Sequence, residues 1–154
     1  MEKTNAMRQL DRKKIAYRVH SYDGGALSGT EVAAALGQDA GRVFKTLVTV
    51  AKSGGHYVFM IPVAASLDLK KAAAAVGEKA LSMLPQKELL PLTGYVHGGC
   101  SPLGMKKQVP TVLHASAMQF DTICFSAGRI GLQIEASPAA LAAVVPLKTA
   151  DVTD

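Results

Sequence analysis

The chain has 154 residues, of which 49% are hydrophobic, 19% charged and 5% aromatic. This composition excludes disordered, collagen-like and coiled-coil proteins, and the length suits one globular domain over residues 1–154. Lys and Arg number 17 against 12 Asp and Glu, and the net charge of +5 is typical of a protein with an anionic partner such as nucleic acid. With four Tyr, four Phe and no Trp, the chain is poorly suited to stacking single-stranded bases.

The start of the chain and its cysteines indicate the compartment. Residues 1–14 are charged and lack the apolar region of a signal peptide, and no apolar run reaches the roughly 18 residues of a membrane span. Cys100 and Cys124 have neither paired metal-ligand spacing nor the pattern of a disulfide framework, and the four histidines also lack ligand spacing. We therefore expect a cytoplasmic, reduced protein with no metal, no organic cofactor and no membrane contact.

The first part of the chain predicts two helices and a strand. An amphipathic helix is expected over 3–11, and alternating apolar residues predict a strand over 15–20. Ser28 and Glu31 have the spacing of a capping box, so a second helix should begin there. Gly37 is expected to end it.

The middle of the chain predicts a hairpin followed by helices. A β-rich run over 43–51 and a second over 56–62 flank a KSGG turn, and the two runs should pair. A helix is expected over 67–76, ended by Gly77, and a shorter helix within 86–91.

The last part begins with an irregular segment. Residues 93–104 contain five Gly or Pro in twelve positions, and long loops within compact domains are often functional. A strand is predicted near 110–114, a hairpin from 122–127 and 131–136, and a final helix over 138–145. Because hairpins are more evident than βαβ units, we expect an α+β fold.

Lys45 is an unusual residue for the middle of an apolar strand. Side chains alternate along a strand, so Lys45 shares a face with Val43 and Leu47. Its side chain either extends to solvent at a sheet edge or points into a pocket. In a pocket it would be a cation for a phosphate, or a donor to a carbonyl or an oxyanion. The residues alone leave both alternatives open.

Other candidate residues lie in the irregular segment and at a strand end. Gly98 and Gly99 offer backbone amides that can approach a ligand closely, and Cys100 could be a nucleophile if a histidine lay nearby. Ser126 ends a strand before a turn, where it either caps the turn or carries a functional hydroxyl. GxSxG, HExxH, Walker A and CxxC motifs are missing from the sequence. The residues alone indicate a basic α+β domain with one candidate pocket.

Taken together, several motifs resemble those of the YbaK family of aminoacyl-tRNA deacylases, which is related to the editing domain of bacterial prolyl-tRNA synthetases. The motifs are KTNAMRQLD (3–11), Tyr17, VFKTLV (43–48), IPV (61–63), LDLKKAA (67–73), TGYVHGGCSP (93–102) and SAGRIGL (126–132). Their order and spacing cover almost the whole chain. The resemblance implies a single domain with a mixed β-sheet, partly closed into a barrel and surrounded by short helices.

The resemblance also implies which residues form the site. It places the catalytic functions on Lys45, the family lysine most closely tied to activity, and on Gly98 and Gly99. It assigns substrate binding to seven further residues, namely Tyr17, Thr46, Cys100, Ser101, Pro102, Ser126 and Gln133. Two positions depart from the family pattern: close relatives carry an aspartate at Gln133 and a basic residue at Ile130.

The implied activity is the removal of a wrong amino acid from tRNA, best known in this subgroup as cysteine from Cys-tRNA(Pro). In the family precedent, the substrate's own thiol attacks its ester and leaves as a thiolactone. The implied partners are the acceptor end of tRNA(Pro) and prolyl-tRNA synthetase, with the protein itself a monomer. The alternatives are an Ala-tRNA(Pro) deacylase that uses water, a non-catalytic tRNA- or synthetase-binding module, and a thiol-transfer protein that uses Cys100.

Overall fold

Short helices surround two connected β-sheets. The computed structural model describes residues 2–25 and 27–154. Its helices are α1 (Asn5–Arg12), α2 (Gly29–Leu36), α3 (Leu69–Val76), α4 (Leu89–Thr93) and α5 (Pro138–Ala142). Its strands are β1 (Arg18–Ser21), β2 (Phe44–Ala51), β3 (His56–Pro62), β4 (Leu81–Met83), β5 (Thr111–His114), β6 (Ile123–Ser126), β7 (Leu132–Ala136) and β8 (Leu147–Ala150). The predicted α+β class is confirmed. Among the described residues, no helix is both long and apolar enough to cross a lipid bilayer.

The strands form one sheet of five and one of three. The larger sheet has the order β4-β2-β3-β5-β8 and the smaller the order β1-β7-β6. Both predicted hairpins, β2–β3 and β6–β7, are antiparallel, whereas β5 pairs in parallel with β3 and with β8. Val43, just before β2, makes a parallel bridge to Cys124 of β6. This bridge joins the two sheets, and no continuous barrel closes among the described residues.

Helices α2 and α3 begin and end where local sequence signals predict. The Ser28 hydroxyl accepts a hydrogen bond from the amide of Glu31, whose carboxylate accepts one from the Ser28 amide, so the capping box is formed. Gly37 and Gly77 end the two helices with φ of 68° and 72°, a left-handed conformation that glycine adopts without steric cost.

Other boundaries differ from the prediction. Strand β1 begins at Arg18 rather than near residue 15, because Lys14 has φ of 56° and the Ile15 amide still donates to the Leu10 carbonyl at the end of α1. Helix α5 is shorter than 138–145. In the segment 86–91, a 3-10 turn precedes α4. The short strands β4 and β8 escaped prediction because their order comes from pairing with strands distant in sequence.

Helices α1 and α3 lie on opposite faces of the larger sheet. Leu10 of α1 packs into the core that contains Phe44 of β2, and this core extends to the smaller sheet. Ala72 and Ala73 of α3 pack into a separate core, which contains Phe59 of β3. Because side chains alternate along a strand, adjacent residues of β2 and β3 contribute to different cores.

Candidate active site

A cavity of about 480 Å³ lies where the two sheets, α2 and the irregular segment 93–104 meet. Its volume falls within the range typical of small-molecule sites. Much of the lining is apolar, including Val32 of α2 and Phe44 of β2. Its polar side chains are Tyr22, Ser28, Lys45, Thr46, Gln86, His97, Ser126 and Gln133.

Lys45 lines this cavity from strand β2. Strand β2 lies inside the larger sheet, but β4 pairs with it only over Thr49–Ala51. The edge of β2 at Lys45 therefore borders the cavity. Within the described lining, Lys45 is the only Lys, Arg, Asp or Glu. Its ammonium group has no hydrogen-bond acceptor or ion-pair partner in residues 2–25 and 27–154, so it can bind an anion or polarise a carbonyl.

Two buried polar atoms in the cavity lack a hydrogen-bond partner. They are Oγ1 of Thr46 on β2 and Oε1 of Gln133 on β7, whose residue is only 7% exposed. An unpartnered buried polar group costs roughly 1–3 kcal/mol, so most such groups in proteins are satisfied. Each oxygen is itself buried, so a polar ligand in the cavity could reach it only after a side-chain rotation.

Ser126 has the turn-capping role that was one of the two alternatives for it. Its hydroxyl accepts a hydrogen bond from the amide of Gly128 at 3.1 Å and so caps the turn after β6. It also lines the cavity. Ser126 pairs with Gln133, which pairs in turn with His20, so these three side chains form a row on one face of the smaller sheet.

A second group of polar side chains lies beside this row and is centred on Glu135. The Glu135 carboxylate accepts hydrogen bonds from Thr122 Oγ1 at 2.6 Å, from His20 Nε2 at 2.7 Å and from Arg42 Nη2 at 3.0 Å. The pKa of Glu135 is lowered, mainly by the hydrogen bond from Thr122. The hydrogen bond from His20 and the charge of Arg42 lower it further. This network holds the smaller sheet to the residues before β2.

The same region contains three possible metal ligands. Ligand atoms of His20, Cys124 and Glu135 lie within 4.8 Å of one another, although the sequence shows no ligand spacing, because the residues come from three strands. The guanidinium group of Arg42 already binds the Glu135 carboxylate, and its positive charge opposes a cation at this place.

Five of the predicted site residues, 98–102, lie in the irregular segment 93–104, the glycine-rich loop; two of them reach the cavity, and three support the loop. Gly98, with φ of 87°, and Cys100 line the cavity. Gly99, predicted to be catalytic, donates its amide to the Val96 carbonyl at 3.0 Å. A Cβ on Gly99 would lie 3.0 Å from the amide nitrogen of Ile130, so only glycine allows the loop to approach the turn after β6 this closely.

Ser101 and Pro102, predicted to bind substrate, hold the loop from within. The Ser101 hydroxyl accepts a hydrogen bond from the Leu103 amide at 3.3 Å, and the Pro102 carbonyl accepts one from the Gln108 side chain at 3.5 Å. Both residues are buried and neither lines the cavity. Their contacts are structural.

The thiol of Cys100 is poorly suited to act as a nucleophile, because it stays protonated. Burial raises the pKa of its thiol to about 12, so the thiolate is scarce near neutral pH. The thiol lies 3.9 Å from the carbonyl oxygen of Ser101. This argues against a thiol-transfer activity at this residue.

The structure brings Tyr22, rather than the predicted Tyr17, to the cavity. The Tyr17 hydroxyl donates to Asp11 at 3.1 Å and its ring packs against the core, and the residue is not part of the cavity lining. Tyr22 follows β1 directly and lines the cavity, as His97 does. The sequence position of each residue could have identified it as a candidate for the site, because Tyr22 lies at a strand end and His97 lies within the glycine-rich loop.

Comparisons with known proteins show the family of this chain. A model of the aminoacyl-tRNA editing domain family matches residues 25–144. A curated protein of Enterococcus faecalis, named "Putative Cys-tRNA(Pro)/Cys-tRNA(Cys) deacylase EbsC", is 46% identical over 99% of this chain and 94% of its own length. The predicted resemblance to the YbaK deacylases is confirmed.

Two solved structures share the fold. One, described as a "putative trans-editing enzyme for prolyl tRNA synthetase", is 26% identical with a TM-score of 0.84, over 97% of this chain and 92% of that one. A hypothetical protein, 22% identical, has a TM-score of 0.90 over 98% of this chain and 100% of that one. This second likeness concerns the fold alone. With the family model matching most of its length, the chain belongs to the aminoacyl-tRNA editing domain family.

Proposed function

We propose that this protein is a trans-editing deacylase that clears cysteine from mischarged Cys-tRNA(Pro). Its family, and the name of its Enterococcus faecalis relative, support this activity and substrate. The structural observation that carries the proposal is the cavity itself. Its lining residues include Lys45, whose ammonium group has no partner among the described residues, and Thr46 and Gln133, each of which has an unpartnered buried oxygen.

The proposed roles follow from the hydrogen-bonding chemistry of each group. Lys45 binds the terminal phosphate of the tRNA or the carbonyl end of the ester, since an ammonium group donates but cannot accept. Thr46 and Gln133 accept hydrogen bonds from the α-ammonium group and the ribose hydroxyl. Ser126, whose oxygen already accepts from Gly128, can donate its proton to the substrate. Tyr22 lies at the cavity wall and replaces Tyr17 in this scheme.

The proposed reaction uses the substrate's thiol as the nucleophile. The cysteinyl sulfur attacks its own ester carbonyl carbon, a new S–C bond forms, and the C–O bond to the terminal ribose breaks. The ribose oxygen takes up the proton that the thiol released, so the products are a cyclic thiolactone and free tRNA. A thiol needs little activation, because a few per cent is ionised near neutral pH.

Backbone amides of the glycine-rich loop would stabilise the developing oxyanion. The Gly99 amide is occupied by Val96, whereas those of Gly98 and Cys100 have no acceptor among the described residues. Both of these residues line the cavity. A well-placed donor of this kind contributes about 3–4 kcal/mol to the transition state. Selectivity would come from the chemistry, because alanine and proline have no thiol and the serine hydroxyl is a poorer nucleophile.

The proposed setting is the cytoplasm, where aminoacyl-tRNA is made. The chain shows no base-reading motif, so we propose that prolyl-tRNA synthetase helps to select the tRNA and that the deacylase acts as a monomer. Purified protein with and without the synthetase, assayed on Cys-tRNA(Pro) and Cys-tRNA(Cys), would test this partner. Equal discrimination between the two tRNAs in both assays would contradict it.

The decisive experiment compares Cys-tRNA(Pro), Ala-tRNA(Pro) and Ser-tRNA(Pro) as substrates of the purified protein. Rapid loss of the cysteinyl ester alone, with thiolactone recovered, is the expected result. Equal loss of the alanyl ester would make water the nucleophile and overturn the cysteine-specific mechanism. If no ester is lost with or without synthetase, the protein is a binding module instead.

His97 gives the water mechanism a specific test. Its imidazole lines the cavity and could act as a general base toward water. A His97→Ala variant should keep cysteinyl deacylation within about threefold if the substrate thiol attacks. A fall of about 10²-fold or more, typical of losing a general base, would favour the alanyl-tRNA function.

A further inference from the structure

A second concavity, of about 410 Å³, lies between α1 and the two ends of the glycine-rich segment. We call it the α1 groove. It is lined by Asn5, Arg8, Gln9, Arg12, Thr93, Gly94, Tyr95, Gly104, Met105 and Lys106. It shares no lining residue with the active-site cavity, and the roles proposed above make no use of it.

The groove takes its charge from one face of α1. Asn5, Arg8, Gln9 and Arg12 follow the i, i+3, i+4, i+7 spacing that places side chains on the same side of a helix. The opposite side of α1 is buried in the core. Lys106 adds a third cation from across the groove, and no Asp or Glu is among the described lining residues.

The cations of the groove are free to bind an anion. Arg8 donates to the neutral side-chain oxygen of Asn5 at 3.1 Å, which leaves its charge uncompensated. Neither Arg12 nor Lys106 forms an ion pair within residues 2–25 and 27–154. The acid of α1, Asp11, is bound instead by Lys3 and Tyr17.

The groove and the active site are connected through a single rigid loop. Its ends, at Thr93–Tyr95 and Gly104–Lys106, line the groove, while its middle, at His97, Gly98 and Cys100, lines the active-site cavity. The Tyr95 hydroxyl donates to the Leu103 carbonyl at 2.6 Å. A Cβ on Gly104 would lie 2.7 Å from the backbone of α1, so loop and helix are in direct contact. The groove and the active-site cavity are therefore neighbours along one loop.

We propose that the α1 groove binds backbone phosphates of the tRNA acceptor stem while the aminoacyl end occupies the active-site cavity. The proposal rests on the proposed function, which supplies a polyanionic substrate. Arginine matches phosphate geometry with paired hydrogen bonds, and cations without nearby acids favour a polyanion over a protein surface of mixed charge. The buried Tyr95 offers no stacking face, so the groove recognises the backbone and not the base sequence.

The test removes the three positive charges of the groove. A control variant removes three lysine charges elsewhere. The groove variant is Arg8→Gln/Arg12→Gln/Lys106→Gln. The control is Lys52→Gln/Lys70→Gln/Lys79→Gln, which removes the same charge from exposed positions on and around α3, on the opposite face of the larger sheet. Thermal melting of both variants first establishes that the fold is retained.

The first readout is the affinity for uncharged tRNA(Pro) at several salt concentrations. Losing three phosphate contacts should reduce the slope of log K against log[salt] by about 2–3 in the groove variant. In the control, the slope should fall by less than about 1. Equal slopes in the groove variant and the wild type, or equal losses in both variants, would overturn the proposal. This readout does not depend on turnover, so it remains informative if the deacylase function itself fails.

The second readout separates the tRNA body from the reacting end. The groove variant should raise KM about tenfold for Cys-tRNA(Pro), with kcat little changed. For the cysteinyl ester of a short CCA oligonucleotide, which lacks the acceptor stem, KM should change less than twofold. An equal loss on both substrates would place the effect in the active site and contradict the proposed groove function.

Discussion

Thr46 Oγ1 and Gln133 Oε1 come from different sheets, yet both are buried without a hydrogen-bond partner beside the same cavity. Elsewhere the fold satisfies comparable groups: Thr49, on the same strand as Thr46, donates its hydroxyl to the Tyr57 carbonyl at 3.0 Å. The contrast makes these two oxygens candidate hydrogen-bond acceptors for a bound substrate.

Removing either oxygen should therefore change stability and activity in opposite directions. Thr46→Val and Gln133→Leu replace an unpartnered polar group by an apolar one of similar size, so each should leave stability unchanged or raise it by up to about 1–3 kcal/mol. Deacylation of Cys-tRNA(Pro) should fall at least tenfold. Urea unfolding and single-turnover kinetics measure the two effects. Thr49→Val, which removes a satisfied hydroxyl, is the control and should lose stability; full activity in Thr46→Val and Gln133→Leu would contradict the assignment.

Lys45→Ala should abolish most of the activity without affecting the fold. Because the ammonium group has no partner among the described residues, its removal breaks no ion pair there. Loss of one electrostatic donor at a reacting carbonyl typically costs about 10²–10³ in kcat, so a decrease of that size is expected. Lys70→Ala, exposed on α3, is the matched control. A Lys45→Ala enzyme as active as the control would remove Lys45 from the mechanism.

Cys100→Ser should retain deacylation within about threefold. Burial raises the pKa of the Cys100 thiol to about 12, so it is protonated and unreactive near neutral pH. The backbone amide proposed to bind the oxyanion is still present in the variant. Iodoacetamide should label Cys100 slowly in the folded protein and rapidly after unfolding. A large loss of activity in both Cys100→Ser and Cys100→Ala, with the fold intact, would reinstate a catalytic thiol.

Glu135 should contribute stability at neutral pH that is lost in acid. Its pKa is lowered in the folded state by hydrogen bonds from Thr122 and His20 and by the charge of Arg42. The contribution is therefore complete above the ordinary glutamate pKa of about 4.3 and declines as pH falls through the lower folded value. Glu135→Gln should lose about 1–3 kcal/mol at neutral pH and show a shallower decline below about pH 4.

Urea unfolding across that pH range measures the Glu135 contribution. Glu88→Gln, at an exposed position, serves as the control and should follow the wild-type curve. If the free energy of unfolding falls as steeply in acid for Glu135→Gln as for the wild type, another carboxylate is responsible for the decline.

Local signals in the sequence determined most of the secondary structure. The Ser28 capping box, the left-handed Gly37 and Gly77, and both hairpins follow from interactions between residues close in the chain, so short-range physics is sufficient for them. Lys45 is a similar case, because a lone charge within an apolar strand is a local pattern that by itself indicates a candidate functional position.

Only the tertiary structure decided which residues meet in the site. The family resemblance implied Tyr17, whereas the structure has Tyr22 in the cavity lining. The sequence suggested the amide of Gly99, which the loop uses for its own hydrogen bond to Val96. These outcomes depend on the bridge that joins the two sheets and on the contact of the loop with the turn after β6. Such long-range contacts have no counterpart in local sequence patterns, because they form between segments far apart in the chain.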